Sequence, residues 1–238
     1  MAARGNDRAR ILILGGTAEA ADLAARLVAQ GDTDVITSLA GRTVHPAPLA
    51  GEVRIGGFGG VEGLTRYIAE NGITKVIDAT HPFASQISEN ARLACAVAAV
   101  PLERPERPVW QRQPGDTWIE VRTLDEAAAA LPAGAHVFLA LGRQHLSAFE
   151  TRTDCHFVVR MVDPPEVPPA FASSELVVGK PSISPEEETA LLRDHAITHL
   201  VCRNSGGAAG YGKIMAAQRL GLPVIMIGRP TEPVQGQS

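Results

Sequence analysis

The amino-acid sequence predicts an α/β protein made of two Rossmann-like lobes, each with a mostly parallel sheet, and a cleft between the lobes. Short apolar runs alternate with helical patterns along the chain, as in α/β units. Near the N-terminus a buried strand leads into a Gly-Gly turn and then a helix. A proline-rich stretch, residues 101–115, interrupts the alternation and predicts a boundary between residues 1–105 and residues 106–238.

The first lobe begins with a continuously apolar run at residues 11–14, typical of a strand buried on both faces. An alanine-rich helix is predicted over residues 18–30. The remaining elements of this lobe are predicted as strands at residues 34–39, 52–55 and 75–79 and helices at about residues 61–71 and 84–100.

In the second lobe we predict strands at residues 118–121, 136–141, 157–161, 175–179, 199–202 and 224–227. One helix has a clear start signal: Ser184 is the expected N-cap, Pro185 the first helical residue and Glu187 the partner in a capping box. That helix is predicted to run to about His195.

Composition and charge exclude several classes of protein. Of 238 residues, 45% are hydrophobic and 20% charged, so wholesale disorder is excluded. With 22 Lys and Arg against 26 Asp and Glu, the net charge is −4, which disfavours nucleic acid as a partner. No apolar run is long enough to span a membrane, so we expect a cytoplasmic protein without membrane contact.

The three cysteines, Cys95, Cys155 and Cys202, are widely spaced and form no C-x-x-C pair. They are predicted to be small buried residues in a reducing compartment, not disulfides or zinc ligands. No His, Cys or carboxylate cluster predicts a metal site.

The first chemical motif is ILILGGTAEA. Gly15 and Gly16 let the backbone approach a phosphate, and the N–H groups of the following helix receive its negative charge. Thr17 replaces the second glycine of a complete G-x-G-x-x-G fingerprint, whereas the small Ala20 fits its last position. A turn that needs glycine for geometry alone is the alternative.

The end of the second strand indicates which dinucleotide binds. NAD-binding lobes place an acidic residue there for the ribose 2′-hydroxyl, but this chain has Ser38 and Arg42. A hydroxyl and a guanidinium suit a 2′-phosphate, which favours NADPH over NADH and disfavours S-adenosylmethionine.

Two further turns follow strands of the first lobe. The sequence GGFGG, with Gly57 and Phe58, forms a loop that could wrap a flat ligand or a phosphate, or serve only as a flexible connection. In the other turn, Pro82 suits the first turn of the following helix, with His81 or Thr80 as its cap. A histidine at the carboxyl end of a strand points to the ligand edge of an α/β sheet and is a candidate proton donor.

The second lobe contains a near-match to the G-x-x-x-x-G-K loop of ATP-binding proteins, ending at Lys213. Ile214 stands where that loop needs a hydroxyl for Mg²⁺, and the later strand offers no Asp, so we reject an ATPase. The preceding strand end instead offers donors and backbone N–H groups suited to carboxylates: Arg203, Asn204, Ser205, Gly206 and Gly207. Arg143, Lys180 and Lys213 extend this basic lining, unless they are merely solvated charges.

Taken in order, ILILGGTAEA, SLAGR, GGFGG, DATHPFA, NSGG and LGLPVIMIGRP resemble the motifs of the precorrin-6A reductase family of cobalamin biosynthesis, over residues 11–230. The resemblance implies an NADPH-dependent oxidoreductase acting on a CH–CH group, which reduces one macrocycle double bond of precorrin-6A to give precorrin-6B. It also implies transient contacts with neighbouring enzymes of the pathway.

The resemblance assigns roles residue by residue. Gly15, Gly16 and Thr17 would hold the pyrophosphate, Ser38 and Arg42 the 2′-phosphate, and His81 and Phe83 would lie near the nicotinamide. Residues 204–207 would face the carboxylate-fringed tetrapyrrole. Many family members have Lys before the Asn-Ser-Gly-Gly sequence, whereas this chain has Arg203, which keeps the charge but does not readily release a proton. His81 or an ordered water is therefore the expected proton donor.

Three alternatives stay open at this point. The substrate could be cobalt-precorrin-6A instead of the metal-free compound. The chain could be a non-catalytic dinucleotide-binding module, which would need no basic surface in the second lobe. A cofactor-free tetrapyrrole synthase or isomerase would have no use for the predicted 2′-phosphate site.

Overall fold

The computed structural model describes residues 8–41 and 48–229. Arg42 lies outside the described residues. The chain divides into two compact units, Met1–Glu106 and Arg107–Ser238. Both units are α/β, and each sheet is parallel at every pairing described below, which confirms the predicted fold class. Assignment of the cofactor to the first unit and the substrate to the second stays a prediction.

The first unit contains five strands and three helices within its described part. The strands are β1 (Ala9–Leu14), β2 (Thr33–Leu39), β3 (Glu52–Ile55), β4 (Lys75–Asp78) and β5 (Leu102–Glu103), and the helices are α1 (Ala18–Gln30), α2 (Gly60–Glu70) and α3 (Ser85–Ala98). The sheet order is β3-β2-β1-β4-β5. Because the strand order reverses between β1 and β4, their carboxyl ends flank the position where sheets of this type bind ligands.

Helices cover both faces of the first sheet. On one face, Ile11 and Ile13 of β1 pack with Ala20 and Ala24 of α1. On the other face, Leu12 and Leu14 of the same strand pack against α2 and α3, and Leu64 of α2 belongs to the same cluster. The continuous apolar run of β1 is therefore explained by burial on both faces.

The second unit contains β6 (Trp118–Val121), α4 (Leu124–Ala129), β7 (His136–Ala140), β8 (His156–Met161), β9 (Ser174–Val178), α5 (Pro185–Asp194), β10 (His199–Arg203), α6 (Gly212–Leu220) and β11 (Val224–Ile227). Its sheet order is β6-β11-β10-β7-β8-β9. The order reverses between β7 and β10, so their carboxyl ends form the corresponding ligand edge. The core packs Phe138 against residues of α5 and α6, including Leu192 and Ile214.

Several predicted boundaries need correction. The helix predicted over about residues 84–100 runs over Ser85–Ala98, and Pro82 is not in its first turn, because residues 81–84 form a turn in which the Ala84 N–H donates to the His81 carbonyl (2.7 Å). Neither Thr80 nor His81 caps this helix. The predicted interlobe stretch contains the strand β5, which pairs with β4. The helices α4 and α6 were not predicted from the sequence.

The predicted capping box at α5 is only half formed. Ser184 is the N-cap and its Oγ accepts the Glu187 N–H (3.3 Å). The return bond is absent, because the Ser184 N–H donates to Ser182 Oγ (3.0 Å). The missed helix α4 has a similar signal: Thr123 Oγ1 accepts the Glu126 N–H (3.0 Å).

Candidate functional site

The Gly-Gly turn lies at the carboxyl ends of β1 and β4 and is tied to the neighbouring strands. The Gly15 N–H donates to the Ser38 carbonyl (2.9 Å), and the Ala79 N–H donates to the Leu14 carbonyl (3.0 Å). Thr17 caps α1 by accepting the Ala20 N–H (3.1 Å) and donates its hydroxyl to the Ala79 carbonyl (2.9 Å). Its side chain is therefore already engaged, which leaves its backbone N–H for a ligand.

The turn leaves room for a ligand above its backbone. A Cβ added at Gly15 would lie 2.9 Å from Thr37 Cγ2, so a side chain there would disturb the turn. Gly16 has φ of +105°, and a Cβ there would meet nothing within 4 Å. The space over Gly16 is open, so a phosphate can approach the backbone and the start of α1. These residues fit a dinucleotide.

A buried carboxylate shapes the turn that contains His81. Asp78 is 3% exposed, and its Oδ1 accepts both the Thr80 N–H (3.2 Å) and the Thr80 hydroxyl (2.6 Å). Its Oδ2 lies 3.5 Å from Arg104 Nε. Sequence reasoning missed Asp78, although an acidic residue at the end of an apolar strand was an available signal. Asp78 holds Thr80, and through it the start of this turn.

His81 is exposed at this edge of the first sheet. Its Nδ1 accepts the Phe83 N–H (3.3 Å), and the two rings are 5.8 Å apart between centroids. Accepting that bond requires the proton on Nε2, which makes Nε2 the donor nitrogen of the neutral ring.

The GGFGG loop is held by an arginine that sequence reasoning also missed. Arg54 of β3 places its guanidinium carbon 3.9 Å from the centroid of the Phe58 ring. It donates to the carbonyls of Gly56 (2.5 Å) and Gly57 (2.7 Å) and to Ser38 Oγ (3.2 Å). Phe58 is thus in contact with Arg54 as well as being a candidate ligand contact. An arginine in a short strand directly before a glycine loop was the available signal.

In the second unit, the ends of β7 and β10 bring the predicted substrate residues to one edge. Ala140 and Cys202 are register partners, so exposed Arg143 and the loop after Arg203 follow adjacent strands. Burial lowers the pKa of Arg203. Lys180 is exposed and follows β9, the outer strand of the same sheet.

The side chain of Asn204 is already hydrogen-bonded to the backbone of Trp110. Its Oδ1 accepts the Trp110 N–H (2.8 Å) and its Nδ2 donates to the Trp110 carbonyl (3.0 Å). The Trp110 indole N–H donates to the Gly207 carbonyl (2.8 Å). A Cβ at Gly206 would lie 2.1 Å from the Pro108 carbonyl oxygen. The loop after β10 therefore clamps residues 108–110, and Asn204 has a structural partner that the prediction did not include.

Lys213 is buried and directed inward. It is 6% exposed, its Nζ donates to the Gly210 carbonyl (2.6 Å), and the ammonium lies 4.7 Å from the Trp110 ring centroid. Burial lowers the pKa of Lys213, and the coulombic effect of Glu188 opposes that shift. The Lys213 side chain therefore stabilises the loop from its buried side. The sequence had predicted an exposed basic side chain that lines the substrate site.

The cysteines add little chemistry to the site. All three cysteines are free and buried, and burial raises the pKa of Cys95 and Cys202 to about 11. Among residues 8–41 and 48–229, no group of three or more His, Cys, Asp or Glu side chains is arranged to hold a metal ion. No helix in the same ranges is long and apolar enough to cross a membrane.

Comparison with known proteins covers the chain almost completely. A family model described as precorrin-6x reductase CbiJ/CobK matches residues 10–238. The precorrin-6A reductase of Rhodobacter capsulatus is 48% identical and covers 95% of this chain and 90% of that protein. A solved structure described as CobK precorrin-6A reductase has a TM-score of 0.91 at 47% identity, over 95% of this chain and 90% of that one.

A second group of relatives is named for a metal-containing substrate. The cobalt-precorrin-6A reductase of Priestia megaterium is 32% identical over 92% of this chain and 90% of that protein. Both groups span the two α/β units described above. On the family match and these identities, this chain belongs to the precorrin-6x reductase family CbiJ/CobK.

Proposed function

We propose that this chain is an NADPH-dependent precorrin-6A reductase that reduces one double bond of the macrocycle to give precorrin-6B. The observation that carries the proposal is the 48% identity to a precorrin-6A reductase over nearly the full length of both chains. The geometry agrees with this proposal, because the open Gly-Gly turn and the turn that contains His81 both lie at the carboxyl ends of β1 and β4.

In this proposal the first unit binds NADPH. The backbone at Gly15, Gly16 and Thr17 and the first turn of α1 receive the pyrophosphate. Ser38 and Arg42 take the 2′-phosphate, with Gly57 and Phe58 in the adjoining loop. When bound, NADPH supplies the hydride for one ring carbon.

The proton for the neighbouring carbon comes from the turn after β4. We assign it to Nε2 of His81, or to a water held there. To act as the acid the ring takes up a second proton on Nδ1, which gives up the hydrogen bond from the Phe83 N–H. Thr80 and Phe83 flank this donor, and Asp78 keeps the turn in place through Thr80. One hydride and one proton convert the double bond into a CH–CH unit, so the reaction balances without a metal or a further reductant.

The second unit binds the carboxylates of the tetrapyrrole. Arg143, Lys180 and Arg203 supply the positive charge, and the backbone at Ser205, Gly206 and Gly207 supplies N–H donors. Asn204 and Lys213 act through the loop, since both side chains bind backbone carbonyls of this unit.

The metal-free substrate is favoured over its cobalt complex because identity is higher to the protein named for metal-free precorrin-6A, at 48% against 32%. The deciding experiment is anaerobic turnover of precorrin-6A and of cobalt-precorrin-6A with NADPH, followed by nicotinamide absorbance and product mass. We expect consumption of NADPH with the metal-free substrate and a product that has gained two hydrogens. Faster turnover of the cobalt compound would reverse the substrate assignment.

The same assay tests the catalytic residues and the non-catalytic alternative. We expect His81→Ala to lower kcat by about 10²-fold at neutral pH with little change in NADPH binding. The matched variant His145→Ala, in the second unit, should keep kcat. Unchanged turnover in His81→Ala would exclude His81 as the proton donor. A protein that binds NADPH and turns over neither substrate would be a dinucleotide-binding module.

A further inference from the structure

Arg54 places its guanidinium against Ser38, close to the end of β2. It stands on β3 directly opposite Ser38, since the two are register partners in the parallel sheet. Its Nη1 donates to Ser38 Oγ (3.2 Å). The guanidinium therefore lies beside the hydroxyl that the proposed function assigns to the ribose 2′-phosphate.

The guanidinium is held on several sides before any ligand arrives. The carbonyls of Gly56 and Gly57 each accept one N–H, at 2.5 and 2.7 Å. The rings of Phe58 and Tyr67 lie 3.9 and 5.2 Å from its central carbon. A planar cation restrained in this way loses little side-chain entropy when it binds an anion.

The restraint leaves donors available. Among the described residues, Arg54 uses three N–H groups, on Ser38, Gly56 and Gly57, of the five that a guanidinium carries. Within the described part of the chain, no carboxylate forms an ion pair with it. Ser38 accepts from Arg54 and keeps its own hydroxyl hydrogen to donate.

We propose that Arg54 is a specificity-determining residue that, with Ser38, binds the 2′-phosphate and makes the protein select NADPH over NADH. This inference rests on the proposed function, because it assumes a dinucleotide at the Gly-Gly turn. It adds a residue from β3 to a subsite expected only at the end of β2. The same contacts also tie the GGFGG loop to that subsite.

The alternative is that Arg54 only supports the glycine loop. A supporting role would affect every dinucleotide alike, because NADPH and NADH differ only in the 2′-phosphate. A phosphate-binding role would weaken NADPH and leave NADH nearly unchanged. The ratio of the two dissociation constants separates the roles.

The experiment titrates the full-length protein with NADPH and NADH by nucleotide fluorescence, with adenosine 2′,5′-bisphosphate as a displacing probe. Arg54→Gln removes the charge, and Arg54→Lys retains it without the planar fork. Arg92→Gln is the matched control, since Arg92 is exposed on α3 and pairs only with Glu89 among the described residues. Thermal unfolding of each variant verifies that it is folded.

We expect Arg54→Gln to weaken NADPH and the bisphosphate by about 10–100-fold and NADH by less than about threefold. Arg54→Lys should lose about 3–10-fold for NADPH only, which tests the proposal even if Arg54→Gln fails to fold. Equal weakening of NADPH and NADH would overturn the inference and leave the proposed function standing. Failure of the wild-type protein to bind either dinucleotide would overturn both.

Discussion

Replacing Asn204 tests whether the loop after β10 is built for the substrate or for the chain. Asn204→Ala removes two hydrogen bonds to the Trp110 peptide groups, at 2.8 and 3.0 Å. Each partly buried N–H or carbonyl left without a partner costs about 1–3 kcal/mol. Because water can reach part of this site, we expect a total loss of about 3 kcal/mol. At about 3 °C per kcal/mol for a protein of this size, Tm should fall by about 9 °C.

The assay is thermal unfolding followed by near-UV circular dichroism, combined with kcat and KM for precorrin-6A. Ser205→Ala is the matched variant, because Ser205 is adjacent but its side chain makes no hydrogen bond within the described part of the chain. We expect Ser205→Ala to keep its Tm. If Asn204→Ala kept Tm within about 2 °C and raised KM about tenfold, the contact with Trp110 would not stabilise the fold and Asn204 would be a direct substrate contact.

Three further predictions concern stability. Gly63→Ala should lower the free energy of unfolding in urea by about 3 kcal/mol or more, because its Cβ would lie 1.7 Å from a carbonyl oxygen of the GGFGG loop. Gly57→Ala, whose Cβ would lie in open space, should lower it by under about 1 kcal/mol. Equal denaturation midpoints for the two variants would contradict this packing. Glu188→Gln should lower the free energy of unfolding by about 3–5 kcal/mol, because it leaves the buried Arg160 side chain of β8, now 2.9 Å from Glu188 Oε1, without its counter-charge. A variant as stable as the wild type would mean that Arg160 finds another partner. A hydrogen bond from Arg152 lowers the pKa of Asp154 from 3.8 to about 2, so the unfolded chain binds more protons in that interval. The contribution of Asp154 to stability is therefore complete above about pH 4 and is lost as the pH falls through about 2. Asp154→Asn should flatten the acid limb of a curve of stability against pH. An unchanged acid limb would refute this role of Asp154.

The helices and strands could be predicted largely from local patterns. The bounds of α1, β3, β6 and β11 coincide with those expected from sequence, because apolar runs, glycine turns and start signals act over a few residues. Where a local alternative was available, prediction failed. At Pro82 the chain forms a turn instead of a helix, because the bond between Ala84 and His81 closes before α3 begins.

The sequence predicted which types of residue form the candidate site. It did not predict which of these residues contact each other. The Gly-Gly turn and His81 do lie at the ligand edge of the first sheet, since the carboxyl ends of parallel strands must share an edge. Sequence spacing gave no sign that Arg54 contacts Ser38, 16 residues away, because that contact depends on the pairing of β3 with β2.

The sequence by itself determined the α/β class, the place of the glycine turns and the family to which the chain belongs. Only the tertiary structure decided that Asn204 clamps Trp110, 94 residues earlier, and that Lys213 lies buried beneath the same ring. The physical reason is one of range. Backbone conformation follows from neighbours within a few residues, whereas the partner of a polar side chain is whichever donor or acceptor the folded chain brings within about 3 Å.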